Sequence, residues 1–538
     1  MPDAGRGLQF VDAMRGYAPF TRADTATRHH IVLITLDMVP PEVWRCDGYR
    51  QYLRLPQLDQ LQFESVAFEN AFSTSPLCGP SRAALLTGRY TYVVANEERA
   101  HDGMAFRLRA DDPIFPEYLR ASGYLTRHFG KCHVGADKFL QAFGENVHPW
   151  DRWAPPIWDD DEYHAYLEAL NVHGLRFARE IRGLRQDRKT PGNLYGGWVE
   201  QPDGTPFPLT ATYAYFTAER AARALRLLRR WHAAGKPLYL QLDFFEPHQP
   251  FMIPAGLEER EHLLRQVVQL PDSFREAVTA GCQPLPGEPK VYSIYRRAHG
   301  LHTEEQMRDH IVANLLEMEV VDAALGVFLQ ALREEGLDDE TMIIFAADHG
   351  EMNGERGLVD KGTYLHPKVV RVPLWLRLPG RERAGTSVSA PVSLLDVAPT
   401  ILEAAGVCPR ARLDGRSLLP LARGLAATEE HEFIMESGWH LAPNPAVAMQ
   451  HRFPDGRHYF YVCNFADRQD ELYDLAAPGY RNLSGDAAHE AARQAMIQRL
   501  GAFLAGDRRW RCYWHAFRVE FSEILGVEAG DQQMFRPE

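Results

Sequence analysis

This sequence predicts an α/β fold with a large, mostly parallel sheet sandwiched by helices and a smaller C-terminal α+β domain. Apolar, β-branched runs close repeatedly on polar residues: His30 to Leu36 before Asp37, Leu238 to Leu242 shortly before His248, and Thr341 to Ala347 before Asp348 and His349. Runs of this kind read as parallel strands buried on both faces. Helical patterns separate them, and Thr303-Glu304-Glu305-Gln306 is a capping box opening a helix through Leu316, Val320, Ala324 and Phe328 that Gly336 closes. At 538 residues the chain exceeds one ordinary domain.

Taken in order, residues 1–28 are a polar and aromatic extension without periodicity, and residues 29–424 form the large α/β domain. Asp37 follows the first strand, and open α/β sheets gather ligands outside the carboxyl ends of their strands. Pro76 to Arg89 then holds a short helix, with Pro80 in its first turn, Gly88 past its end and Cys78 at its mouth. Its free N–H groups, its dipole and Arg82 one turn on suit a tetrahedral oxyanion. Along Phe129 to Gly135 a strand's alternation puts Lys131 and His133 on one face and Cys132 on the other. Residues 150–235 and 252–300 read as irregular insertions rich in aromatic and charged side chains, Trp150, Trp153 and Trp158 among them; insertions on the strand-end side can shape a pocket, while any single residue there reads first as solvated surface. Ala446 to Cys463 reads as a hairpin about Pro454-Asp455-Gly456 inside a small α+β domain at 425–510. The aromatic tail 511–538 packs on the body or clasps a neighbouring subunit.

The net charge of −13 does not suggest a nucleic-acid footprint, because neutralising phosphates needs a basic surface. An anionic substrate remains compatible if positive charge is concentrated locally. No apolar run reaches the roughly 18 residues of a membrane span, and the N-terminus lacks a secretory apolar core, so a cytoplasmic location is expected. Seven scattered cysteines argue against a disulfide framework. Asp37 and Asp348 are hard oxygen ligands, and His349 adds a nitrogen beside the second. Such a cluster holds one divalent cation, with Ca²⁺ or Mg²⁺ favoured by oxygen and Mn²⁺ or Zn²⁺ admitted by imidazole.

The run Cys78-Gly79-Pro80-Ser81-Arg82, followed by Leu85-Leu86-Thr87-Gly88-Arg89, resembles the signature of the type I sulfatases of the alkaline phosphatase superfamily, in which the cysteine is converted to formylglycine. The resemblance extends to Gly130-Lys131-Cys132-His133, where the family usually has Trp in the middle, and to Pro247-His248-Gln249-Pro250 and Asp348-His349-Gly350-Glu351. It also takes in Lys361 with Arg371-Val372-Pro373-Leu374, and Leu472-Tyr473-Asp474-Leu475.

The resemblance implies hydrolysis of a small-molecule sulfate ester through a formylglycine hydrate at position 78 and a covalent sulfated intermediate. The metal, Ca²⁺ in first place, is then held by Asp37, Asp348, His349 and position 78. Arg82 holds the formylglycine and helps place the metal, and His133 takes the proton that lets sulfate leave. Lys131 and Lys361 offset charge on the sulfuryl oxygens, while His248 protonates the leaving oxygen. The implied partners are a formylglycine-generating maturation enzyme and further copies of the chain in a homo-oligomer. One departure stands out: Met38 follows Asp37 where many sulfatases have a second Asp. Hydrolysis of phosphonate monoesters or phosphodiesters is therefore the alternative, and a noncatalytic anion-binding protein with unconverted Cys78 is the reading from another class.

Overall fold

The structure, a computed structural model, describes residues 29–527 apart from 46–47, 92–106, 110, 145–149, 186, 188, 232–234, 426–431 and 478. The expected extension at 1–28, the end of the tail at 528–538 and Cys46 lie outside the described residues.

The main sheet is built from β1 (His30–Leu36), β2 (Val66–Phe68), β3 (Leu125–Gly130), β4 (Leu238–Asp243), β5 (Thr341–Ala347), β6 (Leu374–Arg377) and β7 (Thr386–Val388). Their spatial order is β7-β2-β6-β5-β1-β4-β3. β1 lies between β4 and β5 and runs parallel to both, and β3 runs parallel to β4. Only β6 runs against its neighbours, β5 and β2. The register pairs Leu36 with Ala347 and Gly130 with Asp243. Neighbouring strands therefore stop level with one another, and the residues after them emerge along one edge.

Central strands buried on both faces need no polar alternation, and every residue of β4 and β5 is buried. Helix α1 (Cys78–Thr87) is also buried throughout. Helices α2 (Tyr213–Trp231) and α3 (Glu304–Glu334) contribute Ala218, Leu225, Leu316, Val320 and Phe328 to the core that holds β1. The expected capping box is present: Thr303 accepts from the Gln306 N–H, and the Gln306 side chain accepts in return.

Residues 150–235 are more regular than expected. Arg176–Leu184 and Pro191–Glu200 form an antiparallel pair, to which Phe251–Ile253 adds in parallel as a third strand, and α2 is a long helix. Bulges in the pair and glycines at 196 and 197 break the alternation that would have marked these strands. The strand expected through Phe129 to Gly135 instead stops at Gly130, and His133 has a left-handed backbone, φ 53°. Lys131 and His133 still face the same site, through a turn rather than a pleat.

The C-terminal sheet comprises β8 (Ile434–Ser437), β9 (Ala446–Arg452), β10 (His458–Asn464) and β11 (Glu471–Asp474), antiparallel throughout, with the expected hairpin at β9 and β10. Helices α4 (Glu490–Gly506) and α5 (Arg511–Glu520) cover it with Met496, Leu500, Trp514 and Phe517. Residues 511–527 thus pack on the chain's own core. That core also takes in Phe72, Ala84 of α1, Leu365 and Val370, so the small sheet buttresses the helix that carries Cys78. All six described cysteines are free. Among the described residues no helix is long and apolar enough to cross a membrane.

Candidate active site

The strand-end edge collects all nine residues singled out in the sequence. Asp37 follows β1, Asp348 and His349 follow β5, Lys131 and His133 follow β3, and His248 lies in the loop after β4. Cys78 opens α1, whose last turn closes on Gly88 at φ 64°. Ligand atoms of Asp37, Cys78, Asp348 and His349 all lie within 4.8 Å of one another, and all four residues are buried.

Cys78 Sγ lies 3.0 Å from His349 Nε2 and 3.7 Å from Asp37 Oδ1. Burial pushes its thiol up, but Lys131, Lys361 and His349 outweigh that and hold it well below the usual thiol range. Whatever group occupies this position therefore sits in a concentrated positive field, although the whole chain is acidic.

Arg82 serves the carboxylates. Its Nε donates to Asp348 Oδ2 at 2.8 Å, Nη2 to Asp37 Oδ2 at 3.4 Å, and Nη1 to the Lys131 carbonyl at 3.2 Å. Lys131 Nζ donates to Asp37 Oδ2 and, at 3.1 Å, to the Trp153 carbonyl. Ser81 Oγ donates to the Asp348 carbonyl at 2.6 Å, tying α1 to the end of β5. Met38 is buried, and its N–H donates to Asp348 Oδ1 at 3.2 Å, so this position gives the site a backbone donor and no carboxylate.

The donor set fits a divalent ion. Two carboxylates and an imidazole nitrogen converge, and His349 Nδ1 donates to the Gly350 carbonyl at 2.9 Å, which leaves Nε2 pointing at Cys78. Burial opposes charge on His349, yet Asp348 and the Cys78 sulfur hold its pKa up at about 9. A divalent cation held by these groups would take the place of that proton.

Lys361 Nζ lies 2.5 Å from His248 Nε2, and His248 Nδ1 donates to the Gln249 carbonyl at 2.5 Å. His133 is buried, with no hydrogen-bond partner for Nδ1, and burial and Lys131 depress its pKa, so the ring is neutral. The Trp153 ring stands 5.8 Å from that of His248 and is 51% exposed, which places an indole at the mouth of a buried site.

Sequence reasoning missed Asp243 and Asp360. Asp243 ends β4 as Asp37 follows β1, so the signal of a strand running into a carboxylate was present. It lies 3.7 Å from Arg82 Nη1 and accepts from Thr35, from Gln241 at 2.7 Å and from His128 at 2.9 Å. Gly130 makes room there: a Cβ at this position, φ 98°, would meet the Asp243 carbonyl at 1.9 Å. Asp360 carries no motif of its own beyond standing before Lys361.

A family model described as Sulfatase matches residues 29–407, and one described as N-sulphoglucosamine sulphohydrolase, C-terminal, matches residues 354–505. The chain is 27% identical to choline-sulfatase of Rhizobium meliloti over 84% of its own length and 81% of that protein's. It is 29% identical to the multifunctional alkaline phosphatase superfamily protein PehA of Trinickia caryophylli, over 88% of this chain and 96% of PehA. The solved phosphonate monoester hydrolase of Silicibacter pomeroyi superposes with a TM-score of 0.66 at 22% identity, covering 88% of this chain and 94% of the other, a likeness of fold.

Proposed function

The chain belongs to the sulfatase family and is a sulfuric ester hydrolase, and from that premise we propose that it cleaves small-molecule sulfate esters with a formylglycine derived from Cys78 and one divalent ion, Ca²⁺ in first place. The observation that carries this reading is the convergence of Asp37, Cys78, Asp348 and His349 within 4.8 Å. Asp37, Asp348, His349 and position 78 would hold the ion, which would supply Lewis acidity there. The aldehyde, as its hydrate, supplies two hydroxyls on one carbon, one to attack and one to lose a proton.

The chain's own residues do the rest. Arg82 and Lys131 neutralise Asp37 and Asp348 and hold their oxygens in place. Lys131 and Lys361 bring positive charge to where sulfuryl oxygens gather negative charge. His133, neutral and buried, accepts the proton whose removal expels sulfate. The Lys361 and His248 pair supplies the proton for the leaving oxygen. Cys78 is only 3% exposed once folded, so the maturation enzyme must act on the chain before α1 is buried.

Mass spectrometry of the peptide bearing position 78, made alongside a formylglycine-generating enzyme, is expected to show the aldehyde and its hydrate. Turnover of an aryl sulfate should track the converted fraction, disappear in Cys78→Ala, and fall on chelation. Full turnover by Cys78→Ala would overturn the reading. Phosphonate monoester or phosphodiester hydrolysis is the second reading, favoured by Met38 where the site lacks another carboxylate. A higher kcat/KM on phosphorus esters in the same panel would put it first.

A further inference from the structure

We propose that Asp360 is the positioning residue for protonation of the leaving group, tying Lys361 and His248 into one proton-donating pair. The proposal rests on the sulfatase reading above and on geometry that no motif announces. One carboxylate oxygen, Oδ1, accepts from the Lys361 backbone N–H at 2.7 Å and lies 3.0 Å from Lys361 Nζ. The other, Oδ2, accepts from Gln249 Nε2 at 2.6 Å. Gln249 is in turn the residue whose carbonyl receives His248 Nδ1–H. A single carboxylate thus holds both partners of the 2.5 Å contact between Lys361 Nζ and His248 Nε2, although they come from loops 113 positions apart.

The backbone is arranged around that carboxylate. Asp360 has φ 62°, a left-handed conformation that an L side chain adopts at a cost, and such strain persists where surrounding contacts over-determine it. Here the fixing contact is buried Glu351, whose Oε1 accepts from the Asp360 N–H at 2.5 Å and from the Asn353 N–H at 3.0 Å. With the Asp360 charge beside it, Lys361 stays an ammonium and donates towards His248. His248 Nδ1 keeps its proton on the Gln249 carbonyl, so Nε2 is the acceptor in the pair. As the S–O bond breaks, its electron pair goes to the departing oxygen. That oxygen takes the proton lying between Lys361 Nζ and His248 Nε2, and water restores it to the pair after release.

The test is kcat/KM over a series of aryl sulfates graded by the acidity of the departing phenol, measured on fully converted, metal-loaded wild type, His248→Ala, Asp360→Asn and Gln249→Met. Asp360→Asn removes the charge but keeps the shape, and Gln249 Oε1, which has no hydrogen-bond partner, can turn to accept from the new amide. Esters of weakly acidic phenols need the proton and esters of acidic phenols do not. Asp360→Asn is therefore expected to lose about a hundredfold more on the former than on the latter, within the range of general-acid effects. Gln249→Met, which cuts only the second tether, should tilt the series in the same direction by less, and serves if Asp360→Asn does not fold. Asp360→Glu should recover part of the lost slope. A uniform fall across the series, or an unchanged series, overturns the role of Asp360. If His248→Ala itself leaves the slope unaltered, what fails is the assignment of the pair to the leaving oxygen, and with it the proposal's premise.

Discussion

At the scale of single residues, the chain concentrates opposing charges in a volume from which water is largely excluded. Cys78 illustrates the consequence: burial alone would keep its thiol neutral, and only the surrounding cations reverse that. Trp153 marks where this interior opens to solvent, since its carbonyl holds Lys131 while its ring stands beside His248 half exposed. An aryl leaving group would lie against that ring. Trp153→Ala keeps the carbonyl and removes the face, so KM for an aryl sulfate should rise by about three- to tenfold with kcat little changed, the equivalent of one aromatic contact. A KM equal to wild type in steady-state kinetics would place the alcohol elsewhere. His299 offers a pH prediction: burial lowers its pKa to about 4 from the ordinary 6.5. The unfolded chain therefore binds the proton first, and stability is lost as pH falls from about 6.5 towards 4. The loss amounts to about 3 kcal/mol at most. Urea unfolding at a series of pH values should show a shallower fall for His299→Gln.

At the scale of elements, the site exists because four strands stop level and the residues beyond them turn inwards. The pairing of Leu36 with Ala347 puts Asp37 beside Asp348, and the pairing of Gly130 with Asp243 brings the Lys131 to His133 turn alongside. Alternation along a strand is a good guide only while the strand lasts, and this one ends at Gly130, which is why the pleat argument gave the right neighbours for the wrong reason. Gly130 is the hinge of that ending. Gly130→Ala would force a Cβ against the Asp243 carbonyl at φ 98°, so it should destabilise the protein by about 3 kcal/mol. Gly456→Ala, at φ 88° with nothing within 4 Å, meets only the backbone penalty and should cost about 1 kcal/mol. Equal urea midpoints for the two variants would remove the close approach as the cause.

At the scale of the whole molecule, the C-terminal sheet and the helix bearing Cys78 share one hydrophobic core. Phe460 of β10 stacks on Phe72 at 6.3 Å, beside Ala84 of α1. Phe460→Ala should cost about 3–5 kcal/mol, and chemical unfolding followed at both sheets should still show one transition. Two separated transitions would mean that the C-terminal sheet unfolds independently. Much of this architecture was legible in the sequence, because a buried parallel strand must be apolar, a helix end must be capped, and metal and proton chemistry demand particular side chains. On those grounds Asp37, His248, Asp348 and His349 could be placed at one sheet edge, Cys78 and Arg82 at a helix mouth, and Lys131 and His133 on one face; their roles, and Lys361, came with the resemblance to the sulfatases. What could not be read was which charge each cation answers. Arg82 looks like an oxyanion donor beside Cys78 but is engaged with carboxylates more than 40 and more than 260 positions away. Asp243 and Asp360 gain their meaning only from partners on other loops. Residue type and local spacing determine which chemistry a chain can perform, since they follow from covalent structure and short-range hydrogen bonding. Which groups touch was decided by the register of β1, β4 and β5, because long-range contacts depend on how whole strands align, a property that no local stretch contains.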